Sequence, residues 1–195
     1  MSGPAHLDAP RWVITLKVTT AEQTHALGAA LAGVLRAGDL LVLTGELGAG
    51  KTTFTQGLGE GLGVREGIIS PTFVLVRIHP NLADGPNPGG PDLVHVDAYR
   101  LGSASEIDDI DLENTMDSSV TVVEWGRGRV EHLSDSRLEV ELHRSLGGKS
   151  LAASSPGVLD FDAEDDDEPR TIIIRGFGPR WTDQPVLDPA VEGSP

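Results

Sequence analysis

Gly45-Glu46-Leu47-Gly48-Ala49-Gly50-Lys51-Thr52 directly follows the apolar run Leu40-Leu41-Val42-Leu43-Thr44 and directly precedes a helix-forming stretch. The octapeptide fits G-x-x-x-x-G-K-[ST], and a strand before it with a helix after it is the context in which that pattern marks a nucleoside triphosphate site. Its glycines let the chain wrap with N–H groups turned inward, and the start of the helix adds a partial positive charge. Lys51, one of three lysines in the chain, brings a full charge to the outer phosphates. Thr52 offers its hydroxyl to a magnesium ion. The bland alternative, an ordinary glycine-rich turn between strand and helix, is disfavoured by these flanks. The glycine loop from Glu46 to Thr53 is therefore the expected nucleotide cradle.

Upstream, Trp12, Ile14, Leu16 and Val18 alternate with Val13, Thr15 and Lys17, a strand pattern. Thr20-Ala21-Glu22-Gln23 reads as a capping box, followed by Leu27, Leu31, Val34 and Leu35 at helical spacing, with Gly38 expected to close that helix. In the helix after the loop Phe54, Leu58 and Leu62 recur every fourth residue, and Gly57, Gly59 and Gly61 make the helical pattern less clear at its end.

Downstream, strands are expected at 73–78, 93–96, 120–123, 138–142 and 171–174, the one at 138–142 half-buried by its alternation. The proline- and glycine-rich 80–91 reads as a surface insertion of variable shape. The stretch 105–117 is acidic and compatible with a helix. The segment 147–168, whose last nine residues hold seven of the thirty acids, reads as a mobile hairpin insertion. Strands and helices mixed around a phosphate loop predict an α/β, P-loop NTPase-like single domain over 1–180, with a mostly parallel central sheet flanked by helices. Residues 181–195 read as a disordered tail.

Two acids are expected at strand tips beside the loop, Asp97 and Glu124, and either one suits the carboxylate that holds magnesium opposite the loop hydroxyl. An acid at a strand end is also a common turn former or helix cap. His95 alternates with Asp97, so both leave the strand on one face; a hydrogen-bonded structural histidine is favoured over an acid–base pair. Arg100 suits a phosphate clamp and a surface salt bridge equally. Ser70-Pro71-Thr72-Phe73 occupies the place where nucleotide hydrolases keep a switch segment. Trp125 reads as a core anchor.

Composition sets outer bounds. A chain of 195 residues is long enough to bury a real core, and without cysteine it has no disulfide, thiolate metal site or cysteine nucleophile. The N-terminus lacks the basic patch and apolar core of a signal peptide, and no run approaches the roughly 18 apolar residues of a membrane helix, so a soluble cytoplasmic protein is expected. The net charge of −15 opposes direct contact with a nucleic-acid backbone. Any nucleic acid is expected to be met through a partner.

The stretches from Gly45 to Thr53, Ser70-Pro71-Thr72-Phe73, His95-Val96-Asp97-Ala98-Tyr99-Arg100-Leu101 and Glu124-Trp125 together resemble the TsaE (YjeE) family in order and spacing. The H-x-D-x-Y-R-L string followed by E-W is the specific part, and the likeness covers roughly 12–144. It implies the small ATPase of bacterial tRNA threonylcarbamoyladenosine biosynthesis, working on ATP and Mg2+ with TsaB-like and TsaD-like partners. It also implies site residues: Lys51 and the loop from Glu46, Leu47, Gly48, Ala49 and Gly50 to Thr52 and Thr53 on the phosphates, Thr52 and Glu124 on magnesium, and Asp97 in hydrolysis or magnesium-water positioning. By the same likeness Thr72 belongs to the switch, Ala21 stands near the adenine, and Arg170 is the basic residue entering the last strand that reaches the nucleotide. The chain departs from the family in Ala98, where a bulky residue is common, in the acidity of 105–117, and in Gly126, where proline is common. Two other readings start from the same loop, a small-molecule kinase and a nucleotide-switched binding module. The kinase lacks an arginine-rich lid in its insertions, and no N-K-x-D string supports guanine.

Overall fold

The computed structural model describes residues 9–71, 75–101, 106, 111–145 and 169–187. Seven strands form one sheet in the order β1-β7-β6-β2-β5-β4-β3. They are β1 Trp12–Val18, β2 Leu40–Gly45, β3 Val76–His79, β4 Asp92–Asp97, β5 Ser119–Glu124, β6 Arg137–Arg144 and β7 Arg170–Phe177, with α1 Ala21–Ala32, α2 Lys51–Leu62 and the short α3 Glu113–Met116. The pairings β6–β2, β2–β5 and β5–β4 are parallel. Only the rims turn antiparallel, β3 against β4 and β7 against both β6 and β1. The expected single α/β sheet layered with helices is the architecture found. Its central strands β2, β4 and β5 are mostly apolar because both faces are covered. Leu41, Leu43, Leu93, Val120, Val122, Leu138 and Val140 face a core shared with Leu27, Leu31, Phe54 and Leu58 of α1 and α2. Leu40, Val42, Val94, Val96 and Val123 face a smaller core closed by Leu112 and Met116 around α3 and by Val130.

Thr20 caps α1 as read, its Oγ1 accepting from Gln23 N (3.2 Å), while Gln23 Oε1 reaches one residue further back to accept from Thr19 N (2.7 Å). The helix ends earlier than expected. Gly33 is the C-cap, and Gly38, at φ 93°, forms the turn into β2 instead. The glycines of α2 do not end it early: the helix runs unbroken to Leu62. Their reason is packing. A Cβ on Gly57 would stand 2.0 Å from His25 O, one on Gly61 2.7 Å from Ala29 O, and one on Gly28 2.2 Å from Phe54 O. The two helices meet backbone to backbone, and any larger residue would force them apart.

Elsewhere the reading is corrected by specific contacts. Strand β3 starts at Val76, after Leu75 has adopted φ 67°; the expected strand residues 73 and 74 lie outside the described residues. The 80–91 insertion is fastened down: Asn81 Nδ2 donates to Leu62 O (3.1 Å) and Asn87 O (2.9 Å), so the loop satisfies a terminal carbonyl of α2. Of 105–117, the described part contains α3, and residues 102–105 and 107–110 are outside. The 147–168 insertion also lies outside, between antiparallel neighbours joined by Ser145 N donating to Pro169 O (2.9 Å). The tail does not begin at Trp181. That residue is 2% exposed, and its carbonyl accepts from Trp12 Nε1 (2.9 Å) across the molecule. Leu187 packs on the same core, and 188–195 lie outside the described residues.

Strand β6 is buried on both faces, where alternation predicted one. Glu139 and Glu141 are covered because arginines neutralise them: Arg127 Nη2 contacts both, Arg137 Nε donates to Glu139 (3.0 Å), and Arg175 Nη1 lies 2.7 Å from Glu141. Burial alone would raise the Glu141 carboxyl, but His143, Arg175 and Arg127 outweigh it and hold it below the usual glutamate value.

Helix propensity alone makes Gly57→Ala stabilising by about 1 kcal/mol. With the His25 carbonyl in the way, we expect a loss of about 2 kcal/mol or more in urea unfolding. Gly67→Ala, at φ 89° with open space around it, should lose about 1 kcal/mol from backbone strain alone. A Gly57→Ala protein more stable than wild type would contradict the packing. Because the Glu141 value is depressed on folding, its contribution is present above the unfolded glutamate value and lost as pH falls through the folded one. Glu141→Gln should therefore flatten the acid limb of a melting-temperature profile, whereas an unchanged limb would rule out this linkage.

Candidate functional site

β2 carries the chain out of the sheet centre and Gly45 turns it at once. A Cβ there would lie 2.8 Å from Leu142 O and 3.1 Å from the Ala49 Cβ, so the turn is as tight as it can be. Gly48 and Gly50 take φ 79° and 100°, conformations open to glycine. Gly50 is the N-cap of α2 and supplies no side-chain cap, which leaves first-turn N–H groups directed at the loop. Ala49 is fully buried beneath, and Leu47 stands 93% exposed at the tip. Thr52 and Thr53 follow on the first helical turn, half-buried. Lys51 Nζ reaches back to donate to Gly45 O (2.6 Å) and Glu46 O (3.3 Å). Burial holds its ammonium below the usual lysine value, with Glu124, then Asp97 and Glu46, pulling the other way.

The two strand-tip acids come together beside that lysine. Asp97 and Glu124 are register partners on the parallel neighbours β4 and β5, and Leu43 of β2 stands opposite Glu124. Each is 3% exposed. Asp97 Oδ1 accepts from Tyr99 N (2.9 Å), so this acid also forms its own turn. His95, fully buried, places Nε2 2.8 Å from Glu124 Oε1. A carboxylate only accepts, so Nε2–H is the donor. The histidine is hydrogen-bonded as expected, and its partner is Glu124 on the neighbouring strand and not Asp97.

Trp125 is not a core anchor. It sits at φ 60°, a strained conformation for a bulky residue, fixed by its N–H donating to Leu43 O (3.0 Å). Its ring lies edge-on to Tyr99 (5.6 Å between centroids) with Lys51 Nζ 4.8 Å from its centre. Arg100 is exposed beside Tyr99. Arg129, unremarked in the sequence, donates from Nη1 to the carbonyls of Ala98 and Leu101 and so holds the segment after Asp97 in place.

The far side of the loop is lined by α1 and the β6–β7 end. The Thr24 Cγ2 lies 3.5 Å, and Arg170 Cδ and Nε 3.7 Å, from where a Cβ on Gly50 would stand. Ala21, one turn before Thr24, opens the same helix end. Arg144 Nη1 stands 3.3 Å from the corresponding point on Gly48. Its signal in the sequence was slight, an arginine closing an alternating strand. Thr72 lies outside the described residues; Pro71 before it accepts from Leu75 N (2.9 Å). Lys51, Glu46 to Thr53, Asp97, Glu124 and Arg170 thus stand in or around one loop, while Ala21 begins the helix whose Thr24 approaches Gly50.

A protein-family profile described as "Threonylcarbamoyl adenosine biosynthesis protein TsaE" matches residues 18–150. The chain is 50% identical over 156 residues to the tRNA threonylcarbamoyladenosine biosynthesis protein TsaE of Streptomyces coelicolor, covering 80% of this chain and 91% of that one. It is 45% identical over 136 residues to the protein of that name from Mycobacterium bovis, covering 67% and 79%. Among solved structures it is similar to YdiB of Bacillus subtilis, with a TM-score of 0.59 and 28% identity over 86% of this chain and 87% of that one. On sequence and fold together, the chain belongs to the TsaE family of threonylcarbamoyl adenosine biosynthesis proteins.

Proposed function

We propose that the protein binds and hydrolyses ATP with magnesium, and that this turnover supports formation of the threonylcarbamoyl modification on tRNA adenosine together with TsaB-like and TsaD-like partners. The observation that carries the reading is the convergence of Lys51, Asp97 and Glu124 on a glycine loop at the N-terminus of α2. Loop amides and Lys51 would hold the phosphates. Thr52 and Glu124 would hold the metal, and a hydroxyl with one carboxylate suits magnesium, which keeps water and phosphate oxygens as its other ligands. Bound magnesium would supply charge neutralisation on the transferring phosphoryl group.

The chain's own residues then have separate duties. His95 orients Glu124, Asp97 positions water, and Lys51 neutralises charge on the outer phosphates. The acidic surface fits a protein that meets tRNA through its partners in the cytoplasm. No helix among the described residues is long and apolar enough to cross a membrane.

The test is nucleotide binding and phosphate release, with and without the two partners. Lys51→Ala should weaken ATP binding by about 10- to 100-fold. Asp97→Ala and Glu124→Ala should keep binding within about tenfold while lowering turnover about a hundredfold. ATP hydrolysis indifferent to Lys51→Ala would reject the proposal. Phosphate passing to a metabolite would point to a kinase, and background turnover with partners present, while nucleotide still changes their affinity, would point to a switch module.

A further inference from the structure

We infer that Arg129, in the turn after β5, is a positioning residue for hydrolysis: it fixes the peptide that aims the Asp97 carboxylate. The inference rests on the nucleotide reading above, in which Asp97 positions water. The peptide between residues 98 and 99 is held on both sides. Its N–H, from Tyr99, donates to Asp97 Oδ1 (2.9 Å), and its C=O, from Ala98, accepts from Arg129 Nη1. A peptide unit is planar, so a partner that fixes its carbonyl also fixes the direction of its N–H. Hydrogen bonds in such a chain polarise one another, and a cation at the carbonyl makes the amide a stronger donor to the carboxylate. The same Nη1 donates to Leu101 O, which closes the turn that follows the acid.

Other bonds fix the chain only as far as the acid itself. Asp97 N donates to Leu75 O (2.9 Å) and Ala98 N to Glu124 O (2.9 Å). Leu101 N also donates to Ala98 O (3.1 Å), but that bond lies within the turn and moves with it. Arg129 ties the turn to the chain that follows β5, and it does so from a firm base. Arg129 N and Val130 N both donate to Gly126 O (2.9 and 3.2 Å), and Val130 is fully buried. A Cβ on Gly126 would stand 2.8 Å from Val123 Cγ1 and 3.0 Å from Val130 Cγ2, so this turn is packed as closely as glycine permits. Glu124 ends the strand from which the turn departs. One strap thus connects the two acids, and the aim of Asp97 is set relative to Glu124.

Phosphate release from MgATP by the full chain with its two partners, with ATP affinity measured alongside by calorimetry, tests this. A misplaced group can cost about a hundredfold, and with the other ties intact Arg129→Ala should lower turnover about tenfold while ATP affinity stays within about twofold. Arg129→Lys, which keeps a charged donor, should lose less. In an Asp97→Ala background the Arg129→Ala change should cost nothing further, because the group it acts through is gone. Unchanged turnover in Arg129→Ala would overturn the inference. So would an equal further loss in the Asp97→Ala background, or a fall in ATP affinity as large as the fall in turnover, since a general weakening of the fold moves both. A wild type that releases no phosphate with its partners present rejects the nucleotide reading itself, and this inference with it. Hydrolysis by wild type and Arg129→Ala alike rejects only the role of Arg129. If Arg129→Ala does not fold, Arg129→Gln takes its place under the same criteria.

Discussion

The backbone contact between α1 and α2 fixes the start of α2, and with it the glycine loop that precedes it. Gly28, Gly57 and Gly61 bring the two helices to a separation that no side chain would allow, with carbonyls of His25, Ala29 and Phe54 at the crossing. An amide cradle works only if the first turn of its helix is fixed relative to the strand that feeds it. Here the far end of α2 is held too, because Asn81 and Asn87 both donate to Leu62 O. The helix is clamped along its length while its N-terminus keeps its N–H groups for a ligand. Glycine costs a helix about 1 kcal/mol per residue, and that penalty goes toward rigidity at a distance of two turns from the loop.

The sheet supplies the second fixed point. Four parallel strands, β6, β2, β5 and β4, end on the same edge, and that edge is where ligands of open α/β sheets bind. Strand β6 could not run through the centre of such a sheet with two glutamates unless they were neutralised. The ring of Arg127, Arg137, Arg175 and His143 around Glu139 and Glu141 does this, so the strand next to β2 is rigid despite its composition. The ion network thereby supports the strand whose last residue, Arg144, reaches the loop.

Much of this was legible in the sequence, and what was not has physical reasons. The loop announces itself because its glycines, lysine and threonine are each needed for a separate physical task at a fixed spacing. Asp97 and Glu124 were legible as strand-tip acids because apolar runs have visible ends. Three-dimensional neighbours were not. A glycine in a helix blurs the sequence pattern, and the packing reason for Gly57 and Gly61 is visible only when the facing helix is present. Trp125 is apolar and follows a buried strand, and nothing in one dimension says that its backbone takes a left-handed turn and leaves the core. Trp181, among prolines, looked like tail because its partner Trp12 lies at the opposite end of the chain. The register of Arg144 with Arg170 is not legible either, since more than twenty residues of insertion separate them in the chain.

The electrostatics of the site are divided by the loop itself. On one side β4 and β5 present Asp97 and Glu124 in register, a like-charge pair that is costly unless a cation joins it; Lys51 is nearby, but its ammonium is already shared with two main-chain carbonyls. On the other side β6 and β7 bring Arg144 and Arg170 into register beside Gly48 and Gly50. One oxygen of each acid is committed to the protein, Glu124 Oε1 to His95 and Asp97 Oδ1 to Tyr99 N, which orients the second oxygen of each. A ligand with a divalent cation at one end and a run of phosphate oxygens along the other has the complementary division of charge. The proposed nucleotide reading would use that match, with the metal beside Asp97 and Glu124 and the phosphates along the glycine loop.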